Sequence, residues 1–157
     1  DSLARPIMPW ACLSFLVLVA CTYLLVTGSP WLEYRLVGAI DFPVGTLVAW
    51  LGLIALPSTI HLATATHQSA SSTLDRFRSL LLKIDLVLAG SWGVMAYALA
   101  GNWAFSFSGS APSFRGSDKA SSLFWAYSII IVLLALLVMA LLIASKLLGA
   151  RRPKKSA

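Results

Sequence analysis

The chain has 157 residues, 59% of them hydrophobic and only 11% charged, with a mean hydropathy of +0.84. That is too little charge to cover a water-soluble domain of this length. The net charge of +6 would suit nucleic acid, but four of the cations, Arg151, Arg152, Lys154 and Lys155, crowd just past an apolar stretch. Basic side chains in that position meet lipid headgroups, so no nucleic-acid partner is expected.

Four apolar stretches occupy residues 10–28, 44–65, 79–100 and 121–148. A helix rising ~1.5 Å per residue needs about 20 residues to cross ~30 Å of hydrocarbon. A helix also satisfies its own backbone hydrogen bonds inside lipid. The predicted architecture is an all-α, integral membrane four-helix bundle, a single transmembrane domain over residues 1–157 with a basic tail at 149–157. No connection exceeds about 20 residues, which leaves no room for a separate soluble domain.

The first stretch follows Arg5 and opens at Trp10. Small residues at Thr27-Gly28-Ser29 give it a superficial likeness to a secretory signal, but its apolar run is too long for one, so it reads as a retained span. The chain begins with Asp rather than Met, which leaves room for an upstream leader. Cys12 and Cys21 lie nine residues apart in this stretch, roughly 13 Å along a helix, too far to bond. Residues 29–43 keep Leu32, Leu36, Val37, Ala39, Ile40 and Phe42, and are expected to lie along the interface as a short re-entrant or amphipathic turn. Pro30 suits its start and Pro43 the entry to the second span.

In the second stretch Pro57 leaves the carbonyl near position 53 without a helical partner. Ser58 and Thr59 are placed to compensate locally. His61 has two readings, an interfacial hydrogen-bonded histidine or a ligand to haem or pigment through its neutral imidazole. His61 and His67 are 240° apart on a helix and cannot share a ligand face. No other span carries a histidine, so bis-histidine haem within one chain is excluded. Trp50 here and Trp92 in the third span lie deep enough to pack against other helices or a lipid. The polar run Gln68–Thr73 should cap the third helix, through Ser72 or Thr73, before it enters lipid.

The third stretch holds Asp85, a functional candidate by default because an acid inside a membrane is expensive. Its distance from Lys83 places it about one turn inside the inner boundary, where it can pair between helices or meet headgroup water. Ala89 and Gly93, and Ala96 and Ala100, form steps of small residues that let helices approach closely, within the bundle or against a partner. The segment 102–120 has no helical period and should be an irregular cover over the outer mouth. The aromatic residues around it, from Trp103 to Tyr127, are expected at the headgroup level. The fourth stretch, with Ala126, Ala135, Ala140 and Ala144 among bulky residues, reads as partly lipid-facing.

Nine of the 12 basic residues fall before the first span, around the connection between the second and third, or at and beyond the end of the fourth. The positive-inside rule then puts both termini on the cytoplasmic side or its equivalent. Nothing resembling GxSxG, HExxH, a phosphate-cradling glycine loop or paired catalytic carboxylates occurs.

Arg5 near the first span, together with Asp85-Leu-Val-Leu and Ala96-Tyr97-Ala-Leu-Ala-Gly101-Asn102 in the third, resembles the MARVEL-type four-span proteins, especially the Casparian-strip-like group. The resemblance implies a non-catalytic membrane scaffold that oligomerises, with Arg5 and Asp85 as an interhelical pair. Arg5 stands slightly outside the apolar run and the outer loops lack cysteines, which departs from that pattern. The functional expectation is a non-enzymatic scaffold or accessory subunit of a membrane assembly, bound to lipids and to other subunits or itself, without a cofactor of its own. The alternatives are a membrane anchor in a redox or photosynthetic complex, holding haem, quinone or pigment near His61, and a small transporter or pore using Asp85.

Overall fold

A computed structural model describes residues 7–37, 40–65, 73–105, 107 and 114–150. Helix α1 runs Ile7–Thr27, α2 Val44–Ala65, α3 Thr73–Ala100 and α4 Asp118–Ala150. All four are long and apolar enough to cross a membrane. Between α1 and α2 lie a 3₁₀ turn, Pro30–Glu33, and two short strands, β1 (Arg35–Val37) and β2 (Phe42–Pro43).

The helix ends follow from local chemistry. Gly28, at φ +60°, takes the left-handed conformation that terminates α1. Its N–H donates to the Leu25 carbonyl and that of Ser29 to the Leu24 carbonyl, which satisfies two end carbonyls of the helix. Gly101, at φ +74°, ends α3 in the same conformation, its N–H donating to Tyr97 O at 2.8 Å. The segment after Gly28 is a 3₁₀ turn followed by a two-stranded ribbon. β1 and β2 pair antiparallel, Arg35 opposite Pro43, and Val44 N–H donates to Tyr34 O at 2.8 Å. Branched and aromatic side chains (Val37, Phe42) favour such pairing, and the 3₁₀ turn buries Leu32.

Successive helices run antiparallel. Ser14 of α1 reaches Ala55 of α2, Trp50 of α2 reaches Ala89 of α3, and Trp92 of α3 reaches Ser128 of α4. One end of the bundle, the terminal end, therefore gathers the start of α1, the finish of α2, the start of α3 and the finish of α4. The loop end gathers the rest. Helices α2, α3 and α4 pack on one another, while α1 packs mainly on α2. Among the described residues of α1 only Cys21 is buried; Ala11, Ser14, Val17, Leu18 and Leu24 are half-buried. Steps of three and four put these on one stripe, as expected of a helix with a single neighbour. Cys12 and Cys21 are both free thiols.

Candidate functional site

The buried stripe of α3 reads Arg78, Leu82, Asp85, Ala89, Trp92, Gly93, Ala96 and Ala100. Ala89, Ala96 and Ala100 are wholly buried against the chain's own helices and aromatic rings. Gly93 is a slot for Trp50: a Cβ there would stand 2.5 Å from the indole ring. The same indole donates from Nε1 to the Ala89 carbonyl at 3.0 Å, with the Gly90 carbonyl at 3.2 Å. Small residues thus uncover helix carbonyls for a tryptophan of the neighbouring helix. The small-residue face is used inside the molecule.

Toward the loop end an aromatic cluster fills the interior. Trp92 lies 5.9 Å from Phe105 and 5.8 Å from Phe124, and these two phenyl rings are 4.9 Å apart. Trp92 Nε1 donates to Ser128 Oγ at 2.9 Å, and Tyr127 OH donates to the Leu88 carbonyl at 2.8 Å, both joining α3 to α4. Thr46, fully buried, donates to Trp103 O at 2.6 Å and ties the segment after α3 to the start of α2. Phe107 occupies the space beside Gly45. Phe105 and Phe124 are therefore core residues at the loop end, whereas Trp31 and Trp125 are exposed. Nothing in the sequence separates these two groups, because the loop that carries Phe105 inward has no period to read.

Below that cluster sits Asp85, with no exposed surface and no hydrogen-bond partner for either carboxylate oxygen among the described residues. Trp50 packs at Gly93 and Ile60 clusters with Leu82, so positions facing each other on α2 and α3 sum to about 142. Asp85 then lies level with Pro57, eight residues before α2 ends at Ala65. At ~1.5 Å per residue that is about 12 Å from the end of α2. Its suggested partner Arg5 lies outside the described residues, as do His67 and the basic tail with Arg151, Arg152, Lys154 and Lys155. Arg78, also buried, is paired with Asp75 at 3.1 Å.

His61 is half-buried. It follows Trp50 by 11 residues, three turns plus about 20°, so it shares the α2 face that looks at α3. Four residues beyond Pro57, it stands about 6 Å nearer the terminal end than Asp85. Among the described residues no three His, Cys, Asp or Glu side chains are grouped as a metal site would need. The hydroxyls after Pro57 do bond locally, but to carbonyls other than that of Leu53. Ser58 donates to Ile54 O at 2.7 Å, and Thr59 Oγ1 lies 2.7 Å from Ala55 O. Ser14 of α1 joins that site, donating to Ala55 O at 3.2 Å and standing 3.0 Å from Thr59 Oγ1. Sequence reasoning missed Ser14 and Thr46, since a lone hydroxyl in an apolar run gives no signal of its partner.

No family model, curated protein or solved structure matches the chain. Its class rests on the four apolar helices.

Proposed function

We propose that this chain is a multi-pass membrane protein, both ends cytoplasmic or equivalent, that serves as a non-enzymatic scaffold or accessory subunit of a larger membrane assembly. The observation that carries this reading is the position of α1. It leans on α2 by one stripe and leaves Leu13, Leu16, Val19, Tyr23 and Val26 exposed along its far side. Lipid covers such a face, and a helix held by a single neighbour is the one free to gain a second without disturbing the packed trio. The likeness to MARVEL-type scaffolds points the same way, as does the filled interior of α2–α4 toward the loop end. Bound lipids and a second membrane subunit, or another copy of this chain, are the partners.

The test is site-specific photocrosslinking in the native membrane, with the probe at Leu16 or Tyr23 of α1 and, for comparison, at Leu133 of α4. Adducts of discrete size from α1, retained on blue-native electrophoresis, are expected. A solitary monomer from both positions sinks the scaffold reading. A visible absorption spectrum of the mild-detergent preparation separates it from the redox or pigment anchor, which would carry a chromophore band.

A further inference from the structure

The two segments at the loop end differ in what they do with their apolar residues. After α3 the chain turns inward: Ala104 and Phe105 are buried, and Phe107 fills the space beside Gly45. Between α1 and α2 it turns outward. Among the described residues from 31 to 40 only Leu32 is buried, while Trp31, Tyr34, Leu36, Val37 and Ile40 are exposed. So many large apolar side chains close together mark a surface that something covers.

Two observations say what covers it. The first is level. Leu32 belongs to the same buried cluster as Cys21 of α1, six residues short of that helix's end, and Val48 of α2, four residues past its start. The exit of the 3₁₀ turn is fastened there too, because Tyr34 O accepts from the N–H of Val44, the first residue of α2. The turn therefore lies beside the end turns of the helices rather than above them. The second is continuity. The exposed face of α1 finishes in Tyr23 and Val26, and exposed side chains resume at Trp31, so lipid that covers the helix face extends to the turn.

Charge and backbone narrow the choice. Arg35 is tied to Asp41 at 2.8 Å, and the only other charged residue of the segment is Glu33, so no free cation here awaits an anionic lipid. The outer edges of a two-stranded ribbon leave N–H and C=O groups unpaired, which hydrocarbon does not tolerate and headgroup water satisfies. The register skips Leu36, a bulge that frees Leu36 and Val37 from strict alternation between opposite faces.

We propose that the 3₁₀ turn and ribbon are a membrane-interface anchor, seated at the headgroup level of the leaflet at the loop end, with Trp31, Leu36 and Ile40 reaching the acyl boundary and no requirement for anionic lipid. Trp31 and Tyr34 suit that level, since each ring is apolar while its N–H or O–H stays wet. The anchor sets how deep the finish of α1 and the start of α2 sit. It rests on the membrane reading of the four helices but not on what α1 contacts.

Electron paramagnetic resonance tests it on the full chain in phosphatidylcholine vesicles. A spin label is carried on p-acetylphenylalanine at Leu36, Ile40 or Leu133, one site at a time, so that both cysteines stay native. Collisions with oxygen report lipid, and those with a water-soluble nickel chelate report water. At Leu36 and Ile40 the oxygen-to-nickel ratio is expected to fall between that of Leu133 in α4 and that of free label in buffer. It should stay unchanged in high salt or on adding phosphatidylglycerol. A ratio equal to that of free label places the ribbon in water and overturns the proposal. Shielding from both colliders means that protein covers this face, and overturns it as well. A ratio that rises with anionic lipid or falls in salt overturns the charge argument. If Leu133 is itself water-like, the membrane reading fails and the anchor with it; an oxygen-rich Leu133 beside a water-like ribbon removes the anchor alone.

Discussion

Gly93 and Asp85 sit two turns apart on one stripe of α3, yet they answer to opposite physics. At Gly93 the absence of a side chain is the function, since a Cβ there collides with the Trp50 ring. Overfilling a packed interior costs about 1–3 kcal/mol, and the displaced indole would also lose its bond to the Ala89 carbonyl. At Asp85 a carboxyl without a partner gives way to an apolar side chain in an apolar setting. Gly93→Leu should therefore reduce membrane expression and thermal stability in detergent, while Asp85→Leu should hold or raise both. Gly90→Ala is the control, because nothing lies within 4 Å of a Cβ at Gly90. Equal losses at Gly93 and Asp85 would reject this account. Trp50→Phe keeps a ring in the slot but deletes the Nε1 donor, and should cost about 1 kcal/mol in an unfolding titration.

At the scale of elements, the trio α2–α4 is laced by Trp50, Tyr127 and Trp92 through side-chain bonds to carbonyls and hydroxyls. The bonds between α1 and the trio gather at Ser14, Thr59 and the Ala55 carbonyl, beside Pro57. Hydrogen bonds between membrane helices average about 0.6 kcal/mol, so losing the Ser14 bond should weaken the hold of α2 on α1 by about that amount. Single-molecule pulling on α1 in a bilayer is expected to need lower force in Ser14→Ala. An unchanged force would contradict a part for Ser14 in joining the two helices. The length and composition of each helix were legible in the sequence, because crossing hydrocarbon leaves a run of apolar residues that needs no partner to recognise. The neighbours of each helix were not, since neither α1 nor α4 concentrates its apolar residues on one face.

For the molecule as a whole, four helices in alternating directions bring the start of α1 and the finish of α4 to one end of the bundle. Placing that end at the cytoplasmic face rests on the basic residues of the sequence. Reporter tags at the two chain ends should be labelled from the same side of intact cells or vesicles; labelling from opposite sides would break the four-span topology. The candidate site was partly legible at this scale too. Asp85 stands out because an acid in an apolar run is conspicuous in any sequence.

The sequence by itself determined the number of long helices and that each is apolar enough to cross a membrane, because both depend on local composition. It also exposed the two residue types, a buried acid and a stripe of small side chains, from which the chemistry is argued. Only the tertiary structure decided that the small stripe is filled by Trp50 from the next helix, and that Phe105 turns inward while Trp125 stays exposed. It alone decided that, among the described residues, Asp85 is left without a partner where Thr46 and Arg78 are not. Those outcomes depend on which surfaces meet across tens of residues of chain, and no local pattern says which residue of another helix will meet a given stripe.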